Sequence, residues 1–285
     1  MKMICATCIH PSRAVLGEGP LWYRNQIWWV DIERGEIHAF DPVQNADRVW
    51  TLPDRVSFVV PQKAGGFLIG LGAKITEWDP EAGIGRTVAN PEGDVASSRF
   101  NDAKCDPLGR LWAGTMSLSE QLNRGNLYRI DPVDFQTSRM VGNVSISNGL
   151  AWSPDGGTMY YIDSATRRVD AFDFDAGQIS NRRCVIEIAE GFPDGMCSDR
   201  DGNLWIALWG GWGVVCHNPK TGEMIAKIEL PVEAVTSCCF DDKGGLFITT
   251  ASRDLDARSQ ELQPLAGGLF YAEAVSNAQP VDSFG

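Results

Sequence analysis

Asp106-Pro107-Leu108-Gly109-Arg110 followed by Leu111-Trp112-Ala113 is a tight turn feeding an apolar strand, and the same shape recurs along the chain. Pro presets φ, Gly takes positive φ and Asp bonds its own backbone, so the first five residues turn and the next three extend. Upstream the shape reads Arg24-Asn25-Gln26 then Ile27-Trp28-Trp29-Val30, and Gly65-Gly66 then Phe67-Leu68-Ile69. Downstream it reads Pro154-Asp155-Gly156-Gly157-Thr158 then Met159-Tyr160-Tyr161-Ile162, and Asp201-Gly202-Asn203 then Leu204-Trp205-Ile206. The last copy is Asp241-Asp242-Lys243-Gly244-Gly245 then Leu246-Phe247-Ile248. The first strand residues are 27, 67, 111, 159, 204 and 246, at spacings of 40, 44, 48, 45 and 42, the period of a propeller blade.

A second pattern is a closing strand that ends in an acidic turn. It reads Ile37-His38-Ala39-Phe40-Asp41-Pro42, Ile75-Thr76-Glu77-Trp78-Asp79-Pro80 and Leu127-Tyr128-Arg129-Ile130-Asp131-Pro132. Val169-Asp170-Ala171-Phe172-Asp173 and Val214-Val215-Cys216-His217-Asn218-Pro219 follow it. The alternation of apolar and polar residues is a strand period. Six units of four strands in 285 residues leave about 12 residues per strand and turn, the spacing of an all-β chain. No amphipathic stretch of helical length intervenes. The expected fold is therefore all-β, a six-bladed β-propeller forming a single domain over 1–285. Its blades fall near 14–50, 51–95, 96–142, 143–188, 189–230 and 231–275. A closed ring removes free sheet edges. Ser12 to Leu16, ahead of the first unit, is placed to lend a strand to the last blade.

Composition excludes several functions. The net charge is −12, from 25 basic and 37 acidic residues, and no Lys/Arg run exceeds two, so nucleic-acid binding is not expected. No 18-residue apolar run can span a membrane. Met1 to Pro11 lacks the apolar region of a secretory signal. A cytoplasmic protein with no obligate protein partner is expected. The eight cysteines are scattered and read as reduced thiols, and Cys5-Ala6-Thr7-Cys8 is a lone pair with no second pair to complete a zinc site. No GxSxG elbow, HExxH or Walker motif is present. His10, His38 and His217 are the only histidines, and the last two fall in closing strands, which leaves no His-rich zinc site. The ten tryptophans recur at strand positions and read as core. Trp209 and Trp212, in Leu208-Trp209-Gly210-Gly211-Trp212-Gly213, sit in a glycine-rich setting and are candidates for the mouth of the channel.

The chemistry lies nine to eleven residues before each first strand residue, at Glu18, Ser57, Asn101, Asn148, Asp194 and Thr236. In a propeller these positions begin the innermost strands, so six oxygen-bearing side chains face the axis at one mouth. Carboxylates and amides gathered there repel or go unsatisfied unless a cation joins them. Oxygen donors select a hard divalent ion. A solvated polar channel satisfies the same spacing, and Asn-Gly and Asp-Gly are also plain turn signals.

Four motifs in order at blade spacing carry a resemblance that runs from about Ala14 to Tyr271. They are Gly17-Glu18-Gly19-Pro20; Arg99-Phe100-Asn101-Asp102 with Gly114-Thr115-Met116; Ser147-Asn148-Gly149-Leu150 before Ser153-Pro154-Asp155-Gly156; and Pro193-Asp194-Gly195. With these the chain resembles the SMP-30/gluconolactonase/regucalcin-like family. The resemblance implies a six-bladed propeller and one divalent metal held by Glu18, Asn148 and Asp194. It implies substrate contact by Arg99 and Asn101, and hydrolysis of a sugar lactone to the aldonic acid. Relatives work with calcium, zinc, manganese or magnesium, and calcium is the first expectation here. Asp194 is the expected catalytic base, orienting or deprotonating water. Many relatives place a substrate-contacting Glu three residues after the Met of Gly-Thr-Met. That position is Ser119 here, and Glu120 is the candidate one residue on. Two other readings use the same residues: a non-catalytic calcium-binding or regulatory propeller, and an esterase or phosphotriesterase.

Overall fold

A computed structural model describes residues 2–93, 97–279 and 282–285. Six antiparallel sheets follow one another along the chain and form the six blades of a β-propeller. The boundary expected at 95/96 lies outside the described residues. Each blade starts at the axis and steps outward. The first runs Gly17–Tyr23, Gln26–Asp31, Glu36–Asp41, Ala46–Thr51, each strand bonded to the next.

The innermost strands are Gly17–Tyr23, Val56–Pro61, Ser98–Cys105, Ser147–Trp152, Phe192–Ser198 and Val235–Phe240. In the third, fifth and sixth blades the turn after this strand is built around a buried Asp: Asp106, Asp199 or Asp241. Asp106 accepts the Leu108 and Arg110 N–H groups and the Trp112 indole, the last at 2.8 Å. Asp199 repeats this with Asp201, Asn203 and the Trp205 indole. The strands called closing lie third in their blades. Five of the blades have a fourth strand that continues from the third: Ala46–Thr51, Gly83–Ala89, Thr137–Val144, Gln178–Glu187 and Met224–Glu229. Most of its residues are exposed or half-buried, so hydrophobicity gave little sign of it.

The sixth blade takes its outer strand from the N-terminus. Thr7–His10 pairs antiparallel with Leu269–Ala272. The expected strand at Ser12 to Leu16 does not form, apart from one bridge between Leu16 and Ala251. Pro11 lacks an N–H, Arg13 has φ 55°, and Asp31 captures the Val15 and Leu16 N–H groups, so this stretch crosses between blades instead. Lys2–Cys5 adds a parallel fifth strand to the fifth blade, beside Met224–Glu229.

Among the described residues the core divides into six clusters, one at each junction of neighbouring blades. Trp28, Val30, Val59 and Phe67 fill the first junction, and Trp29, Phe40, Phe247 and Leu269 fill the one that closes the ring. No described helix is long and apolar enough to cross a membrane.

Candidate metal and substrate site

Every innermost strand breaks register at the same place. The shifts fall between Glu18 and Leu21, Val56 and Val59, Phe100 and Ala103, Ser147 and Leu150, Pro193 and Met196, and Val235 and Ser237. A bulge bends the strand and re-aims a side chain. It acts on the six ring positions, all of which are buried. Glycines let adjacent blades close in beside it. A Cβ on Gly195 would lie 2.0 Å from Ser237 Oγ, and one on Gly149 would lie 2.8 Å from the Asp194 carbonyl oxygen.

A carboxylate fork steadies two of these positions. Asp31, which ends the second strand of blade one, accepts Val15 N–H at 2.8 Å and Leu16 N–H at 3.2 Å, two residues ahead of Glu18. Asp163 does the same in blade four. It accepts Ser145 N–H and Ile146 N–H, both at 3.0 Å, two residues ahead of Asn148. In blade five the second strand ends in Trp209, so Asp194 has no such fork from that strand.

The side chains then link across blades. Arg99 Nη1 donates to the Phe100 carbonyl at 2.9 Å and to Asn101 Oδ1 at 2.5 Å. Asn101 Nδ2 donates to Ser147 O at 2.8 Å and Asn148 Oδ1 at 2.9 Å. Asn148 Nδ2 donates to Ser164 Oγ at 2.8 Å, and that hydroxyl donates to Pro193 O at 2.6 Å. These bonds orient the Asn148 amide and leave its oxygen a second lone pair. Ser57 and Thr236 depart from the expected ring. Their hydroxyls donate to the carbonyls of Phe100 and Gly17 in the next blade, at 2.6 and 2.5 Å, and so join blades rather than line the site.

Glu18, Arg99, Asn101, Glu120, Asn148 and Asp194 all line one cavity of about 390 Å³. Burial pushes the Glu18 carboxyl up to about 8, helped by the nearby Asp102 charge and opposed by the Gly19 N–H and Arg99. Burial raises Asp194 well above the usual range, and the charges of Glu18 and Asp102 raise it further. The Glu18 and Asp194 carboxyls act on each other's ionisation. Two buried acids whose charges oppose each other cannot both ionise without a cation. Two carboxylate groups and one oriented amide oxygen suit a hard divalent ion. Burial also lowers the Arg99 guanidinium to about 10, still a cation at neutral pH.

Glu120 reaches the cavity from a left-handed backbone, φ 54°, while Ser119 turns its hydroxyl to Ser117 at 3.1 Å. Trp209 lines the cavity, but Trp212 is not among its lining residues. The sequence reading missed Ser164, Phe192 and Arg253, which also line it. Each lies off the repeated ring position: Ser164 follows a second strand, Phe192 begins an innermost strand, and Arg253 sits in a loop that matches no other blade.

Comparison with known proteins agrees with this fold. Residues 16–252 match the family model described as SMP-30/Gluconolactonase/LRE-like region. The chain belongs to this family. Regucalcin of Oryctolagus cuniculus is similar to this SMP-30/gluconolactonase-like chain at 38% identity, over 95% of this chain and 94% of the relative. A solved structure described as the calcium-binding protein regucalcin, from Agrobacterium tumefaciens, superposes with a TM-score of 0.95 at 25% identity, covering 100% of this chain and 99% of that one. A luciferin-regenerating enzyme superposes with a TM-score of 0.92 at 29% identity, covering 98% of each chain.

Proposed function

We propose that this family member is a metal-dependent lactonase that hydrolyses a sugar lactone to its aldonic acid. The carrying observation is the pairing of two buried, mutually repelling carboxylates with a buried Arg99–Asn101 unit in one cavity. Glu18, Asn148 and Asp194 would hold the metal, with calcium the first choice and zinc, manganese and magnesium as alternatives. When bound, a divalent ion supplies Lewis acidity to the lactone carbonyl and acidifies water.

The chain's own residues supply the rest. Asp194 orients the attacking water and accepts its proton. Arg99 presents a planar fork of donors to sugar hydroxyls, and Asn101 fixes that fork while keeping its amide on Asn148. Glu120 offers an acceptor from the cavity wall. Arg99, Asn101 and Asp194 are buried, which excludes bulk water and strengthens their contacts.

A second reading, a non-catalytic calcium-binding propeller, is favoured by the name of the Agrobacterium tumefaciens relative. Such a protein needs Glu18, Asn148 and Asp194 but has no use for a buried guanidinium beside them. The test is acid release from a panel of five- and six-membered aldonolactones, aryl acetates and a phosphotriester, with calcium, zinc, manganese or magnesium supplied. The reading expects turnover of at least one aldonolactone above the spontaneous rate and preference for it over the other esters. Turnover of aryl esters or phosphotriesters alone moves the protein to the esterase class. Metal binding without any turnover moves it to the binding-protein class.

A further inference from the structure

Glu120 and Arg253 come from opposite sides of the ring. Glu120 lies between Leu111–Ser117 and Gly125–Ile130 of the third blade, and Arg253 follows Leu246–Thr250 of the sixth. In a six-bladed ring these two blades face each other across the axis, so their side chains can meet only above the channel. Arg253 Nη2 donates to Glu120 Oε1 at 2.8 Å, and both residues line the cavity that contains Glu18, Asn148 and Asp194. The salt bridge is therefore a strap over the site.

One anchor, and the neighbour of the other, lie in left-handed backbone. Glu120 has φ 54°, and Asp254, next to Arg253, has φ 64°. Non-glycine residues adopt this region at a cost, so the loops spend conformational energy to aim these side chains. Asp254 also lies 3.3 Å from Arg253 Nε. The Arg253 and Glu120 side chains are 29% and 45% exposed, so water competes with their pairing and the bridge is weak enough to exchange. A guanidinium has five N–H donors, which leaves donors for a ligand.

We propose that Arg253 is a specificity-determining residue that selects polyhydroxylated cyclic esters; this rests on the lactonase reading above. A ligand lying over the axial acids must part or underlie the strap. Sugar hydroxyls accept from Arg253 and donate to Glu120, so both charges trade one partner for another. An apolar ester of equal size offers neither, and would leave Glu120 to water and Arg253 to Asp254 in place of the lost bridge. Arg253 acts on binding and takes no part in proton transfer.

The test compares wild type with Arg253→Ala and Arg253→Lys in calcium-loaded protein. D-glucono-1,5-lactone hydrolysis gives KM and kcat. Quenching of tryptophan fluorescence, with Trp209 in the cavity wall, gives the affinity for D-gluconate without any turnover. The expected result for Arg253→Ala is a KM raised about tenfold, a kcat within about threefold, and a weaker gluconate affinity, with partial recovery in Arg253→Lys. An unchanged KM and gluconate affinity overturns the inference and leaves the lactonase reading standing. Gluconate binding that depends on Arg253, in a wild type that hydrolyses no lactone, sinks the lactonase reading and keeps the recognition role. Absence of both turnover and gluconate binding in wild type removes both.

Discussion

A buried carboxylate beside another is costly, and Glu18 and Asp194 are held in that state by bulged strands and close-packed glycines. The roles proposed for them give separable outcomes. Asp194→Asn keeps the shape and an oxygen ligand but removes the base, so turnover falls about 10²–10⁴-fold while the circular dichroism spectrum is retained. Wild-type activity in that variant removes Asp194 from proton transfer. Asp163→Asn acts at a distance. An amide has one acceptor oxygen in place of two, so one of the Ser145 and Ile146 N–H bonds weakens and Asn148 loosens. Calcium affinity then drops about tenfold by calorimetry, with turnover at saturating calcium close to wild type. An unchanged affinity confines the fork to folding. Glu18, Asn101, Asn148 and Asp194 were legible as axial residues because one register position recurs in all six blades, and the family resemblance singled out Glu18, Asn148 and Asp194 among them as the expected metal set. Arg253 and Ser164 were not, since loops carry no repeat to align them. Ser57 and Thr236 shared the position yet serve backbone carbonyls, a choice that only three-dimensional packing makes.

Among the elements, the N-terminal strand Thr7–His10 does the closing. It completes the sixth blade, and His10 then reaches the first, 3.2 Å from Asp47 and stacked on Phe40 with ring centroids 5.0 Å apart. His38 Nδ1 meets the same carboxylate at 2.7 Å. Burial pushes the Asp47 carboxyl up, but hydrogen bonds from His10 and His38 outweigh burial and hold it below the usual range. A depressed carboxyl contributes stability that is present above its unfolded pKa and lost as pH falls through its folded one. Asp47→Ala is therefore expected to lower the melting temperature by about 2–4 °C at pH 7, with the difference shrinking as pH falls into the range of acid titration. An equal difference at pH 7 and at pH 3 contradicts the latch. The second and third strands were legible from their apolar alternation and turns. The N-terminal strand that completes the sixth blade, expected at Ser12 to Leu16, lies at Thr7–His10 because Pro11 and the backbone at Arg13, not hydrophobicity, decide where pairing stops.

Across the whole molecule, blade order and the six junction clusters follow from one repeat near 44 residues, which is why the architecture is legible in the sequence. The axis is different. Glu18, Asn148 and Asp194 belong to blades one, four and five, so a cation held by all three ties together distant parts of the ring. Calcium at about 100 times its dissociation constant then contributes about 2.7 kcal/mol to the folded state. Scanning calorimetry should show a melting temperature several degrees higher in calcium than in chelator, and coincident transitions contradict a metal bridging those blades. The most direct test of the central claim is lactone hydrolysis by protein stripped of metal and then given calcium, zinc, manganese or magnesium in turn. The account predicts turnover at the spontaneous rate in the stripped protein, restored by at least one metal and not restored in Asp194→Asn. Full activity in the stripped protein, or no activity with any metal that binds, contradicts it.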